Sequence, residues 1–417
     1  MDTKHLQDLV QSVLISVRDN GDKALREFTK KFDNLELQKF LLTREEIGSR
    51  ISELDESTKE IIDNNISRIK VFAEFQRRMY KDMQIEVDDE ETVLGQKIVP
   101  INSVGIYVPS GRFPLLSSAL MGIIPAKVAG VSRIVAMTPP GKNKPDNAVL
   151  YGMVKAGADE IYTIGGIQAI GAMAYGTESI RPVEKIFGPG NKYVNEAKRQ
   201  VFGQVGIDLL AGPSEVLIIA DESADTNKVA YDLLAQAEHD TAARSCLITT
   251  SRSLANKIAS EMDYYIDTLE TREILKESWK NKGSILLCET IGEAIEEANN
   301  YAPEHLELHL NPENRNNAFN LLRNFGSLFL NEDTPVVFSD KLIGTNHTLP
   351  TNRAARYTGG LSVGAFLKIL TYQEVVGRNS LYDLSERALK QSKIEGLAGH
   401  AKSAELRTRL KDQELII

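Results

Sequence analysis

The sequence is poor in the features of disulfide-stabilised and membrane-spanning proteins. Its 417 residues include only two cysteines, Cys246 and Cys288. Two are too few for a disulfide framework, so a reducing, cytoplasmic setting is expected. No run of about 18 apolar residues predicts a membrane span. The polar start of the chain also lacks the apolar run of a signal peptide.

The chain also lacks an excess of positive charge. Its formal net charge is −9 at pH 7, and such a chain repels nucleic acid and anionic lipid on average. Neither a nucleic acid nor a membrane is therefore expected as a partner. Hydrophobic residues make up 42% and charged residues 26%, as in soluble globular proteins. A chain of this length exceeds what one hydrophobic core usually serves, so two or more domains are expected.

Several widespread catalytic and cofactor-binding motifs are missing. The sequence has no HExxH, no paired CxxC and no GxGxxG. The nearest match to the last is Gly188-Pro189-Gly190-Asn191, with Tyr193 in place of the third glycine. Its backbone amides could meet a phosphate at a helix N-terminus. The alternative interpretation is a plain strand-to-helix turn.

What the sequence contains is an alternation of short apolar runs and longer amphipathic segments. The predicted strands are 98–108, 133–138, 160–164, 215–220, 246–250, 284–289 and 327–330. The predicted helices are 115–130, 146–157, 192–204, 226–240, 252–266 and 381–413, together with most of the first 80 residues. This alternation predicts βαβ units with parallel sheets, and the number of strands indicates two α/β units.

Histidine is scarce, with six residues, and two of its contexts suggest chemistry. Gln236 and His239 lie three apart in a helical segment, so both side chains could face one metal ion. The alternative for His239 is a helix-end imidazole interacting with the helix dipole. Glu304 and His305 are adjacent, and such an acid–base pair could handle two proton transfers. The alternative for this pair is an exposed charged turn.

Further candidates lie near the C-terminal end of the chain or in apolar runs. Asp340 and His347 fall in the loop-rich region 331–360, where binding residues often lie, although Asp340 could equally be a solvated turn residue. His400 follows Glu395 in a helical segment and could be an exposed surface residue. Cys246 and Cys288 could supply a thiolate nucleophile. Both lie in apolar strands, however, and are interpreted as buried small hydrophobes.

The order and spacing of these segments resemble the histidinol dehydrogenase family over almost the whole chain. The matching segments are 21–25, 105–109, 165–170, 186–191, 211–216, 236–239, 302–306 and 344–347, followed by Glu395 and His400. The resemblance implies two incomplete Rossmann-like domains with parallel-type sheets, a helical N-terminal region and a helical C-terminal extension. It predicts that residues 1–106 and 214–361 form a discontinuous α/β domain carrying most zinc and catalytic residues. Residues 107–213 would form a second α/β domain with the NAD contacts, and 362–417 a mostly helical segment that crosses a homodimer.

The resemblance also implies an activity and a role for each site residue. The activity is oxidation of L-histidinol to L-histidine through a bound aldehyde, with one zinc ion per subunit, two NAD and water. His305 would be the general base and Glu304 would activate water. The zinc ligands would be Gln236, His239, Asp340 and His400. The remaining substrate contacts would be Ser214, His347 and Glu395. The NAD contacts would be Tyr107, Gln168 and Asn191.

In the homodimer that the resemblance implies, His400 and Glu395 would complete the partner subunit's site. The identity of the metal and the identity of the substrate each have an alternative. Manganese or cobalt could occupy the same nitrogen and oxygen ligands. A related zinc- and NAD-dependent dehydrogenase acting on another primary alcohol, such as a sulfonated diol, is the alternative function.

Overall fold

The computed structural model describes residues 3–88, 91–110, 115–141 and 146–408. The contacts divide the chain into two compact units. The first comprises 1–77 and 101–366, and the second comprises 78–100 and 367–417. The domain boundaries predicted from the sequence, at 106/107, 213/214 and 361/362, stay a prediction. Residues 409–413 of the last predicted helix lie outside the described residues.

The secondary structure of the described residues alternates strands and helices through the middle of the chain. The helices are α1 (Thr3–Asp33), α2 (Arg44–Ile51), α3 (Glu56–Arg78), α4 (Leu116–Ala129), α5 (Asn147–Ala156), α6 (Gly166–Tyr175), α7 (Lys192–Val201), α8 (Thr226–Ala237), α9 (Arg252–Asp267), α10 (Arg272–Lys282), α11 (Ile291–Tyr301), α12 (Pro312–Leu321), α13 (Val336–Lys341), α14 (Arg378–Ile394) and α15 (Ala398–Thr408). The strands are β1 (Met83–Val87), β2 (Thr92–Pro100), β3 (Ser103–Tyr107), β4 (Arg133–Thr138), β5 (Glu160–Thr163), β6 (Lys185–Phe187), β7 (Gly206–Ile207), β8 (Glu215–Ala220), β9 (Arg244–Thr249), β10 (Ser284–Leu287), β11 (His305–His309), β12 (Ser327–Phe329) and β13 (Leu367–Val375).

The first unit contains two five-stranded parallel sheets with the same topology. The first sheet has the order β5-β4-β3-β6-β7, and the second has the order β10-β9-β8-β11-β12. Numbered within each sheet, both read 3-2-1-4-5, which is the Rossmann order without its sixth strand. The predicted α/β fold with incomplete Rossmann-like sheets is confirmed.

The central strands of both sheets are buried along almost their whole length because helices cover both faces. All six residues of β8 are buried, as are all five residues of β11. The helices between strands begin where a polar side chain accepts from free backbone amides. Asp146 does so for α5 and Asp225 for α8.

The N-terminal helices belong to the first unit, and α1 lies against α6 and α7 of the first sheet. Gly21 interrupts α1 with a φ of 49°. A side chain at this position would collide with the Glu178 carboxylate, which accepts a hydrogen bond from the Asp22 amide at 2.6 Å. Glycine is therefore required where this helix changes direction.

The second unit combines an antiparallel sheet with two helices. Its strand order is β1-β2-β13, and α14 packs against α15. The sequence did not predict β1 or β13, and it predicted 98–108 as one strand where the structure has β2 and β3. None of the described helices is long and apolar enough to span a membrane.

A buried ion pair stabilises the turn that follows β6. Lys198 on α7 forms an ion pair with Asp208, and both side chains are almost fully buried. The Lys198 ammonium also donates to the carbonyls of Gly188 and Leu209, each at 2.9 Å. The Asp208 carboxylate accepts from the Gly188 amide at 2.8 Å. Both partners therefore bind the peptide groups of Gly188, at the carboxyl edge of the first sheet.

Removal of one charge from this pair should destabilise the fold. We expect Asp208→Asn to lower the free energy of unfolding by about 3 kcal/mol or more, because a buried ammonium loses its counter-charge. Urea unfolding measures this change. The matched control is Asp267→Asn, which removes an acid from the exposed pair with Lys276 and should cost much less, because water screens an exposed pair. Equal effects of the two substitutions would contradict the role given to the buried pair.

Candidate active site

The Glu304–His305 pair lies at the amino end of β11, where the backbone of one residue of the neighbouring strand holds both side chains. The amide of Glu215, the first residue of β8, donates to the Glu304 carboxylate at 2.8 Å. The carbonyl of the same residue lies 3.0 Å from His305 Nδ1. Both side chains of the pair are buried, so the interpretation of 304–305 as an exposed turn is wrong.

The contact with Glu215 fixes the protonation pattern of the His305 ring. A backbone carbonyl can only accept a hydrogen bond, so Nδ1 carries the proton. In the neutral ring Nε2 then has a free lone pair. This Nε2 is buried and has no hydrogen-bond partner in the part of the chain that the structure describes. His305 is therefore oriented as a base whose accepting atom is available.

Burial shifts the pKa values of both members of the pair. Burial lowers the pKa of His305, and the negative charge of Asp340 acts in the opposite direction. His305 is thus neutral at pH 7 and able to accept a proton. Burial raises the pKa of Glu304 well above its ordinary value, and the charges of Glu215 and Asp340 add to this rise. A carboxylate with a raised pKa is a better proton acceptor when ionised.

Three of the four predicted zinc ligands belong to the first unit, and two of them meet. Asp340 on α13 has its Oδ2 at 3.8 Å from His239 Nε2. Gln236 lies in the last turn of α8, with a buried Oε1 that lacks a hydrogen-bond partner among the described residues. An imidazole, a carboxylate and an unpartnered buried amide oxygen are the donor set that suits zinc or a similar divalent cation. The residues therefore fit the predicted metal.

The helix that carries Gln236 ends earlier than the sequence predicted. The amphipathic pattern of the sequence predicted a helix as far as residue 240, but α8 ends at Ala237. His239 follows in a turn, where its amide donates to the Gln236 carbonyl at 3.3 Å. Asp340, assigned to a loop from the sequence, lies in the short helix α13.

The predicted substrate contacts are divided between the units. His347 Nδ1 lies 3.4 Å from Asp340 Oδ1, on the opposite oxygen from His239. Ser214 directly precedes β8, and its carbonyl accepts from the Arg244 amide at 2.9 Å. Glu395 caps the C-terminal end of α14 and His400 lies in α15, so both belong to the second unit. Their part in the site stays a prediction.

The predicted NAD contacts lie at the carboxyl edge of the first sheet. Tyr107 ends β3, and its hydroxyl accepts from the Gly166 amide at 3.2 Å, next to Gln168 in the first turn of α6. Asn191 is the N-cap of α7 and accepts from the amides of Tyr193 and Val194. Gly188-Pro189-Gly190-Asn191 is thus a strand-to-helix turn, and it also ends at a helix N-terminus where a phosphate could bind.

Unpaired polar atoms at this edge agree with a polar ligand. Gln168 Oε1 is buried and has no hydrogen-bond partner among the described residues, and the same holds for Thr138 Oγ1 at the end of β4. Such orphaned groups are rare in folded proteins unless a ligand or water satisfies them. Thr138 was not among the residues predicted from the sequence, although its place at the end of a predicted strand was a usable signal. NAD fits this edge.

The two candidate sites lie at opposite edges of their sheets. The NAD contacts follow the carboxyl ends of β3, β5 and β6, whereas Glu304 and His305 lie at the amino end of β11. Asn195 on α7 connects the two regions, because its amide donates to the carbonyls of Gly190 and Ala211. Ala211 lies three residues before Ser214, so this side chain holds the segment that leads into β8.

Sequence comparison identifies the family. A model of the histidinol dehydrogenase family matches residues 1–408. The chain belongs to this family. It is 46% identical to "Histidinol dehydrogenase homolog 1" of Mesorhizobium japonicum, over 96% of this chain and 79% of that protein. It is 45% identical to a histidinol dehydrogenase of Methanothermobacter thermautotrophicus, over 97% of this chain and 93% of that one.

A solved structure of the histidinol dehydrogenase family has the same fold. The crystal structure of histidinol dehydrogenase from Elizabethkingia anophelis matches with a TM-score of 0.92 and 35% identity. The match covers 99% of this chain and 94% of that one. The fold predicted from the resemblance is thereby confirmed over both units.

Burial determines the chemistry of the two cysteines in this member of the histidinol dehydrogenase family. Cys246 and Cys288 are free and buried, and burial raises the pKa of each thiol. A raised pKa disfavours the thiolate, so both behave as small hydrophobes. Glu215, which holds the Glu304–His305 pair, was not predicted to be a functional residue, since it acts through its backbone amide and carbonyl rather than its side chain.

The pKa of His305 provides a test of this site. In metal-free protein we expect NMR titration to place the His305 pKa below 6.5, because burial disfavours the imidazolium. Asp340→Asn should lower it further, since the charge of Asp340 stabilises the protonated ring. A His305 pKa above 6.5, or a rise in the variant, would contradict the site geometry.

Proposed function

We propose that this chain oxidises L-histidinol to L-histidine with NAD and a divalent metal, zinc in the first instance. The observation that carries the proposal is the buried Glu304–His305 pair, held by the backbone of Glu215, with the negative charge of Asp340 acting on the His305 ring. A protein that only bound zinc or a nucleotide would have no need of a desolvated base with a free Nε2. Membership in the histidinol dehydrogenase family supports the choice of substrate.

The proposed roles of the groups follow from their chemistry. Gln236, His239, Asp340 and His400 would hold the metal, and Tyr107, Gln168 and Asn191 would contact NAD. When bound, the metal would orient the imidazole and amine of histidinol, and NAD would accept the hydrides. Ser214, His347 and Glu395 would complete the substrate contacts. His400 and Glu395 would serve the partner's site in a homodimer.

His305 is the proposed base of the first oxidation. Its Nε2 takes the proton of the substrate hydroxyl, which its lowered pKa permits at neutral pH. The hydrogen bond from Nδ1–H to the Glu215 carbonyl keeps the ring in place and favours the cation that forms. A base must lie within hydrogen-bond reach of its proton, and a fixed ring maintains this geometry.

Glu304 is the proposed base of the second oxidation. Its carboxylate accepts a proton from water as that water adds to the bound aldehyde. The amide of Glu215 holds one carboxylate oxygen, which leaves the other for water. Burial of the pair limits the entry of other water molecules and reduces loss of the aldehyde.

A related dehydrogenase of another primary alcohol, such as a sulfonated diol, is the second candidate. The protein of Mesorhizobium japonicum is named a homolog rather than a histidinol dehydrogenase, so similarity alone does not fix the substrate. His347, which lies against Asp340, favours histidinol. Formation of NADH with L-histidinol, compared with the same assay on other primary alcohols, separates the two candidates.

Substitution of each member of the pair should affect a different oxidation. We expect His305→Asn to slow oxidation of L-histidinol by about 10²- to 10⁴-fold, the usual contribution of a general base. Glu304→Gln should mainly slow oxidation of supplied L-histidinal. NADH formation from each substrate is the measurement. The matched controls are His5→Asn and Glu313→Gln at exposed positions, and variants of the pair that match them would contradict the roles.

Removal of the metal should abolish activity. We expect protein treated with a chelator and dialysed to form no NADH from L-histidinol, and added zinc to restore the reaction. Parallel additions of manganese and cobalt identify which ion the site prefers. Gln236→Ala should bind zinc more weakly, as measured by competition with a chromophoric chelator. Full activity in protein shown to contain no metal would overturn the metal-dependent proposal.

A further inference from the structure

A second cluster of ionisable side chains lies outside the site described above. Asp232, Glu307 and His309 form this group, called here the buried triad. His309 Nε2 lies 3.1 Å from Glu307 Oε2 and 3.5 Å from Asp232 Oδ2. Glu307 and His309 are almost fully buried, and the Asp232 side chain is 16% exposed. No proposed step of the reaction uses these residues.

The buried triad joins the three elements that carry the candidate active site. Asp232 lies four residues before Gln236 on α8, which is one helical turn. Glu307 lies two residues after His305 on β11, so both side chains point to the same face of the strand. The other Glu307 oxygen, Oε1, accepts a hydrogen bond of 2.8 Å from the amide of Val336, the first residue of α13.

The hydrogen bond to Val336 determines where α13 begins. The helix has six residues, and Asp340 lies one turn after Val336. No side chain caps α13 from its own N-cap position, which is occupied by Pro335. A short helix gains little stability by itself, so the Glu307 carboxylate is an important attachment of Asp340 to the second sheet.

The charges of the buried triad explain why it would hold these elements firmly. Two carboxylates and one imidazole share a desolvated space, and burial together with Glu307 raises the pKa of Asp232. His309 Nε2 and Glu307 Oε2 share a hydrogen bond of 3.1 Å, and Asp232 Oδ2 lies 3.5 Å from the same nitrogen. Buried charge networks of this kind tolerate little displacement, since each broken contact leaves an unpaired polar group.

We propose that the buried triad is a positioning device for the metal site, in which Glu307 sets the place of Asp340 relative to Gln236 and His305. The inference rests on the proposed metal site. The alternative occupant is a cation, because the ligand atoms of the triad lie within 4.8 Å of one another. One Glu307 oxygen is already bound by Val336, which favours the hydrogen-bonded cluster.

The test measures metal binding in the full-length protein. Glu307→Gln removes the charge and the bond from His309, while its amide oxygen can still accept from Val336. Glu307→Ala removes both bonds. We expect the affinity for Zn²⁺ or Co²⁺, measured by chelator competition, to fall about 10- to 100-fold in Glu307→Ala, and less in Glu307→Gln. The absorption bands of bound Co²⁺ should shift as the ligand geometry changes.

A matched control separates positioning from loss of stability. Asp221 is equally buried but lies at the carboxyl end of β8, where it accepts from Ser223, Asn311 and Asn314. Asp221→Asn should lower the urea midpoint yet leave the Co²⁺ spectrum and affinity unchanged. If the Glu307 variants behave like Asp221→Asn, the inference is overturned. If the Glu307 variants fold poorly, the isosteric Asp232→Asn provides the same comparison, with a smaller expected loss of metal affinity.

Two further results distinguish this inference from the proposals on which it rests. Wild-type protein that binds a second equivalent of zinc, lost in Glu307→Gln, would show a cation site and overturn the positioning role. If Gln236→Ala weakens zinc binding and neither Glu307 variant does, only the inference fails. If Gln236→Ala has no effect on zinc binding, the proposed metal site fails with it.

Discussion

The backbone of Glu215 is the contact on which the candidate active site depends. Its amide donates to Glu304 and its carbonyl accepts from His305. This is possible because β8 and β11 pair in parallel, with His305 opposite Val216, so that Glu215 lies just beyond the amino end of β11. A shift of one residue in this register would turn the pair away from Asp340, since strand side chains alternate in direction. The buried core of the second sheet therefore controls the chemistry at its edge.

The two sheets of the first unit share one topology, but their candidate sites lie at opposite edges. Ligands of open parallel sheets usually bind at the carboxyl ends of the strands, near the point where strand order reverses. The NAD contacts proposed for the first sheet, Tyr107 and the turn after β6, follow this rule. The second sheet departs from it, because the proposed acid–base pair lies at the amino end of β11 and the proposed metal ligand Gln236 lies in the last turn of α8. Helix α7 links both regions through Asn195, which contacts Gly190 and Ala211.

Much of the fold followed from the sequence, for physical reasons that also explain the errors. The strands 133–138 and 215–220 agree with the structure at both ends, because fully buried parallel strands produce continuous apolar runs. Strand β13 was missed because most of its residues are exposed and it carries polar side chains. The end of α8 was misplaced because His239 continues the helical spacing although the backbone turns after Ala237. Individual site residues had weak local signals, and it was their order along the chain that identified the family. Glu215 and Glu307 were not selected, since their effects depend on partners about 90 and 30 residues away.

The fixed tautomer of His305 has a consequence for inhibitors. Its Nε2 is an acceptor removed from water, with no partner among the described residues. A compound that places an amide or hydroxyl hydrogen against this atom would form a buried hydrogen bond, which is worth about 1–3 kcal/mol. That corresponds to roughly five- to 150-fold in Kd from a single hydrogen bond. An inhibitor would therefore gain more affinity from one hydrogen-bond donor placed at this atom than from added apolar surface of similar size.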